Sequence, residues 1–203
     1  MELKERILVE ANELFCKFGV KRITMDDIAK QLGISKKTIY QHFKDKNELV
    51  FVLIESMLQM QMQTMDCNRS KASNAVDEVF LVVTHLKEML SKMNPMIFYD
   101  LQRYHPQAWD LFKSFRFTYM KECILKNIHS GIKEGCFRKN IQPEIIALLR
   151  LEQVDMIFNQ VVFPAAQFRM AEVMEEVTEH YLYGLCNLKG HELINKYKQI
   201  TDE

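Results

Sequence analysis

Proline and glycine are nearly missing from this chain, with four prolines and six glycines in 203 residues. Gly19 and Gly33 are the only glycines before residue 131, and Pro95 is the first proline. With so few breakers and no sustained alternation of apolar and polar residues, a strand-rich fold is excluded and the chain reads as helical throughout. No run of about 18 apolar residues exists, so no helix is expected to span a membrane. The N-terminus alternates charged and apolar residues without the unbroken apolar stretch of a secretion signal, and the expected location is cytoplasmic. The five cysteines (Cys16, Cys67, Cys123, Cys136 and Cys186) include no C-x-x-C pair, which argues against a disulfide framework and a zinc site. Buried free thiols are the simpler expectation, with no metal and no cofactor. No G-x-S-x-G, H-E-x-x-H, P-loop or G-x-G-x-x-G occurs and the six histidines are dispersed, so an enzyme is not expected.

What is present is a core and an uneven charge. Hydrophobic residues make up 48% of the chain, enough to bury a sizeable core. The 27 basic and 27 acidic residues cancel, which by itself discourages a polyanion partner. Their distribution reverses that reading. Between Lys17 and Lys46 eight basic residues face three acidic ones, a net of +5, which leaves −5 for the remainder. A basic head on an acidic body holds a polyanion at one end and repels it elsewhere.

The head divides into short helices. Ile7, Ala11, Leu14, Phe15 and Phe18 form one face of a helix over about residues 3–18, closed by Gly19. Thr24 is a candidate N-cap, with Asp26 and Asp27 in the first turn and Met25, Ile28, Ala29 and Leu32 turned inward. Gly33 and Ile34 make a tight turn, Ser35 caps a third helix whose inner face is Ile39 and Phe43, and Asp45 opens a fourth helix running to about residue 66. Two short helices joined at Gly33, with small Ala29 at their crossing, have the pattern of a helix-turn-helix.

The stretch ITMDDIAKQLGISKKTIYQHFKDKNELV resembles the DNA-binding segment of the tetracycline-repressor (TetR) family, a likeness that covers about residues 5–52. It is carried by Thr24, Ile28-Ala29, Gly33-Ile34-Ser35, Tyr40, His42-Phe43, Lys46 and Leu49. The resemblance implies that the third helix lies in the major groove. Opposite Ile39 and Phe43, the residues Lys36, Lys37, Thr38 and Gln41 face outward, with side chains suited to base edges. Ser35 opens that helix and belongs to the same candidate contact set. Tyr40, His42, Lys46 and Thr24 match positions that touch phosphate in the family. Asp27 departs from a typical member and is expected to point away from DNA.

Beyond residue 50 the chain is rich in methionine and aromatics. Where the family often encloses an inducer, Met57, Phe98, Tyr99, Trp109, Phe112, Phe115 and Met156 are the candidate ligand contacts; an ordinary bundle core is the competing role. A helix opened by Pro143 and expected to reach Phe163 is apolar around most of its circumference, and another is expected from about residue 171 to 188. The resemblance implies that these two pair with their copies, through Val154, Ile157, Val161, Val177, Tyr181, Gly184, Leu185 and Leu188.

The sequence therefore predicts an all-α protein: a helix-turn-helix domain over residues 1–46 and a helical ligand-binding and dimerisation domain over 47–203. The expected function is a homodimeric transcriptional regulator, a repressor released from a palindromic DNA operator by a small apolar or amphipathic ligand. The alternative is control by a protein partner or by thiol oxidation, without an inducer.

Overall fold

A computed structural model describes residues 2–199. These form eleven α-helices, with no strand among the described residues beyond one isolated bridge between Phe137 and Cys186. The chain packs as two compact units, one holding residues up to 61 together with 92–115, the other holding 62–91 and the chain from 116 onward. The unit that carries the helix-turn-helix thus reaches past residue 46 and recruits a distant segment.

In the first unit α1 spans Leu3–Phe18, buries Ile7, Ala11 and Phe15, and opens with a reciprocal Glu2/Glu5 capping box. Gly19 follows with φ +82°, a conformation that side chains with a Cβ rarely adopt. Helix α2, Met25–Leu32, buries Met25, Ile28 and Ala29. Gly33 ends it in the left-handed conformation, so that Ile34 N–H donates back to the Ala29 carbonyl at 3.0 Å. Helix α3, Lys36–Tyr40, is short, and the chain continues to turn so that Phe43 N–H donates to the Ile39 carbonyl. Helix α4, Lys46–Lys71, opens with the Asp45 carboxylate accepting Glu48 N–H, as expected, but ends five residues later than its sequence pattern indicated. Helices α6 (Ile97–Tyr104) and α7 (Pro106–Phe115) complete the unit.

In the second unit α5 (Ala75–Ser91) packs against α8 (Lys121–Glu134) and α10 (Met170–Leu185), and α9 (Pro143–Ile157) packs against both α8 and α10. A π-helical turn, Arg116–Met120, precedes α8. The core gathers Val76, Ile128, Phe137, Ala147, Leu182, Leu185 and Ile194. Two expected boundaries moved. Helix α9 stops at Ile157, not Phe163, because the Asn159 side chain accepts Val161 N–H at 2.9 Å and draws the backbone into a turn before Pro164 is reached. Helix α10 stops at Leu185, and Asn187 caps a separate helix, α11 (Leu188–Lys198), by accepting Gly190 N–H at 3.1 Å.

That break permits a close approach. A Cβ on Gly190 would lie 2.3 Å from the Cys136 carbonyl oxygen, a backbone atom that cannot swing aside. Gly190→Ala is therefore expected to destabilise the protein by about 1–3 kcal/mol, despite alanine's better helix propensity. Urea unfolding of the full chain at matched protein concentration measures it. An unchanged midpoint would show that the contact relaxes freely.

Candidate nucleic-acid interface

The short third helix owes its position to what lies beneath it. Ile39 and Phe43 are fully buried, so the opposite side of the turn must face solvent. Lys36, Lys37, Tyr40 and Gln41 are exposed there, and Thr38 and His42 are half-buried at its edges. Ser35 caps the helix: its hydroxyl accepts Thr38 N–H at 3.1 Å and lies 2.8 Å from the Thr38 hydroxyl. Neither lysine nor Gln41 is tied to another side chain by an ion pair or hydrogen bond among the described residues. Three flexible polar side chains on a rigidly backed helix can donate to guanine and pair with adenine in a major groove.

Helix α2 is held by a reciprocal cap. Thr24 Oγ1 accepts Asp27 N–H at 3.2 Å and donates to Asp27 Oδ2 at 2.6 Å, and Thr24 N–H donates to the same oxygen at 2.9 Å. These bonds, the side-chain one first, hold the Asp27 carboxyl below its ordinary value. Its negative charge is hydrogen-bonded back onto the helix end. Thr24 is exposed but its hydroxyl proton already serves the cap, so toward phosphate it offers no free donor from that group.

Lys46 is a correction. Its Nζ is turned inward, donating to the Val20 carbonyl at 2.6 Å and to the Lys21 carbonyl at 3.4 Å, with the Phe15 ring 5.9 Å away. Burial pushes its pKa down, against the pull of Asp100 and Asp27. The ammonium ties the α1–α2 turn to α4 and does not project as a free phosphate contact.

Asp100 grips the same turn. Its buried Oδ2 accepts Lys21 N–H at 2.7 Å, Asn94 Nδ2 donates to the Lys17 carbonyl at 3.3 Å, and Lys21 Nζ lies 4.7 Å over the Tyr104 ring. His105, ending α6, sits 2.7 Å from Asn47 Oδ1 at the start of α4, and burial lowers its pKa. Sequence reasoning missed this clamp, because Asn94 and Asp100 lie more than seventy residues from the turn they hold.

The candidate ligand contacts do not form one site. Met57, Phe98, Tyr99, Trp109, Phe112 and Phe115 belong to the first unit, where Phe112 packs edge-on to Phe98 at 5.2 Å and stacks on Trp109 at 5.4 Å. Phe115 is buried and Tyr99 exposed. The Phe98, Trp109 and Phe112 rings pack α6 and α7 together. Met156 belongs to the second unit, on the exposed face of α9 seven residues after Leu149. A cavity in the second unit is lined by other residues, among them Met65, Val79 and Arg150.

The candidate dimer residues also divide. Ile157, Tyr181 and Leu185 are buried within the single chain and cannot present a face to a partner. Val154 and Val177 are half-buried, whereas Val161, Gly184 and Leu188 are exposed. The exposed apolar stripe of α9 is Ile145, Leu148, Leu149 and Met156, which fall on one side of a 3.6-residue helix. Periodicity could not select it, because α9 is apolar nearly all round. Cys123, Cys136 and Cys186 are buried, and burial pushes Cys136 up to about 11 and Cys186 up to about 12, so both stay thiols.

Lys46→Met is expected to lower the unfolding temperature and weaken binding to every duplex alike, while the slope of log affinity against log salt stays unchanged. A slope reduced by about one unit would instead place its ammonium on a phosphate.

Known proteins share this arrangement. The family profile of bacterial regulatory proteins, tetR family, matches residues 7–53. The HTH-type transcriptional regulator YvaF of Bacillus subtilis is 24% identical over 186 residues, covering 90% of this chain and 95% of that protein. A TetR-family regulator from Agrobacterium tumefaciens has the same fold, with a TM-score of 0.75 at 16% identity over 91% of this chain and 97% of its own. A transcriptional regulator from Saccharomonospora viridis, solved in complex with choline, aligns with a TM-score of 0.71 at 17% identity over 91% of this chain and 97% of that one. Residues 7–53, the head of capped short helices, match the tetR family of bacterial regulatory proteins, while the whole chain is similar to an HTH-type transcriptional regulator and has the fold of a TetR-family regulator.

Proposed function

We propose that the protein is a homodimeric repressor that binds a near-palindromic operator and is released from it by a small apolar or amphipathic ligand. The observation that carries the DNA-reading part is the exposed face of α3, where Lys36, Lys37, Tyr40 and Gln41 stand over fully buried Ile39 and Phe43. Lys36, Lys37 and Gln41, with Thr38 at the edge, read bases. Tyr40, His42 and the Ser35–Thr38 cap orient the head on the backbone.

A helix this short contacts too few phosphates to bind tightly alone, so specific affinity needs two heads on one site. Recognition helices in successive major-groove faces must be held about 34–36 Å apart, or a multiple of that. The face offered to a second copy is the α9 stripe of Ile145, Leu148, Leu149 and Met156, with exposed Gly184 on α10, where an added Cβ would meet nothing within 4 Å. Ile145 and Leu149 are each more than half exposed, unusual for branched apolar side chains on one helix face and the mark of an interface. Inducer control is supported by the choline held in the S. viridis regulator and by the cavity in this chain's second unit. Release requires that the ligand bind a wrongly spaced pair of heads better than the DNA-bound pair.

Selection from random duplexes is expected to return a symmetric site. Gln41→Ala is expected to relax base preference at one symmetric pair of positions, by about 1–3 kcal/mol of discrimination. Failure to enrich any sequence would sink the operator reading. Leu149→Glu is expected to turn the dimer into monomers in light scattering across a dilution series, with operator affinity lost in step. A variant that remains dimeric would move the interface away from α9.

A further inference from the structure

The second unit holds two buried arginines, and their surroundings differ. Arg116 is met by two carboxylates, Nη2 lying 2.8 Å from Glu152 Oε1 and Nε 2.9 Å from Asp155 Oδ1. Arg150, on α9, is 7% exposed and makes no ion pair among the described residues. Its Nη2 donates to Thr178 Oγ1 at 2.7 Å, and its guanidinium lies 4.8 Å over the Tyr181 ring. Nη1 is buried without a hydrogen-bond partner. A buried cation left in this state is strongly unfavourable unless an anion joins it.

Arg150 and Tyr181 line a cavity of about 80 Å³, walled by residues of α4, α5, α8, α9 and α10. Val79, Val82, Val83 and Ile124 make most of the remaining wall apolar. One wall residue is a carboxylate, but Glu78 is committed elsewhere: Oε1 lies 3.2 Å from Arg69 Nε, and Oε2 accepts Asn127 Nδ2–H at 2.8 Å. The cavity therefore presents one uncompensated positive group and a short apolar lining.

We propose that this cavity binds a small monocarboxylic acid as its anion, the carboxylate on the Arg150 guanidinium and the hydrocarbon against Val79, Val82, Val83 and Ile124. Charge selects the head, since a neutral polar group leaves the guanidinium unpaired, whereas a carboxylate forms a charge-assisted bond with it. The lining selects the tail, since a fully hydrated ion such as phosphate gains nothing from four aliphatic side chains. The space suits an acid of roughly three to five carbons. Burial pulls Arg150 down to about 10, so it remains charged at neutral pH. The proposal deepens the reading of this unit as ligand-binding and rests on it only for the effect on DNA.

The probe is butyrate, titrated calorimetrically into the full-length chain beside butyramide and inorganic phosphate. Butyrate is expected to bind with a dissociation constant at or below about 1 mM, with butyramide and phosphate at least tenfold weaker. Arg150→Met is expected to remove that preference. Should this variant fold poorly, Val82→Phe keeps the charge, fills the cavity and is expected to block butyrate. Equal binding of butyrate and butyramide, preference for phosphate, no butyrate binding up to ten times that concentration, or binding that survives both variants would each overturn the assignment. Operator affinity followed in the same titration separates the two readings. Arg150-dependent butyrate binding without DNA release supports the site and strikes down inducer control by it. DNA release by neutral compounds alone, with no butyrate binding, keeps inducer control and overturns the carboxylate site.

Discussion

The helix-turn-helix head depends on how the turn between α1 and α2 is held. Beyond Gly19, whose N–H still donates to the Phe15 carbonyl of α1, Val20 and Lys21 carry backbone groups that need partners from elsewhere, and a turn with unpaired polar groups is unstable. Side chains from two other helices do the pairing: Lys46 of α4 donates to the Val20 carbonyl, and Asp100 of α6 accepts Lys21 N–H. Gly19 makes room for this, since a Cβ there would lie 3.2 Å from Asp100 Oδ2 and its φ is positive. The orientation of α2 against α1, and of α3 behind it, therefore rests on groups outside the helix-turn-helix. This is why the first compact unit takes in residues 92–115.

The two capped helices use the same small vocabulary for different ends. At Thr24 the partner is an acid, and two hydrogen bonds from Thr24 tie the Asp27 carboxylate to the helix end, while Asp27 N–H donates back to the Thr24 hydroxyl. At Ser35 the partner is a hydroxyl, and no negative charge is placed beside Lys36 and Lys37. Local capping thus sets the electrostatic sign of each helix start as well as its position.

The second unit is built on a broader contrast between satisfied and unsatisfied groups. Arg116 is paired twice, and Asp155 is pushed up to about 6 by burial even though Arg116 draws it the other way. Arg150 has a hydroxyl and an aromatic face but no anion among the described residues. The apolar stripe of α9 is the other unfinished feature, and it lies on the side of the helix away from Arg150 and Leu151, which are buried. One helix accordingly carries both the cavity's cation and the exposed apolar stripe.

Local chemistry made the head legible from sequence: Thr24, Ser35 and Asp45 each sit directly before the helix they cap, and Gly33 lies where a left-handed residue is needed. The outward face of α3 followed from Ile39 and Phe43, four residues apart, because burying one side of a helix exposes the other. Where a helix is apolar almost all round, as in α9, periodicity has no direction, and only packing showed that Ile157 is internal while Ile145 and Leu149 are not. Lys46 looked like a free cation until the fold brought the Val20 carbonyl within 2.6 Å of it. Sequence by itself determined the helices of the head, their caps and the family likeness of residues 7–53, since these depend on neighbours along the chain. Tertiary structure alone decided which charges are spent inside and which remain to meet a ligand or DNA, because such pairing joins residues tens of positions apart.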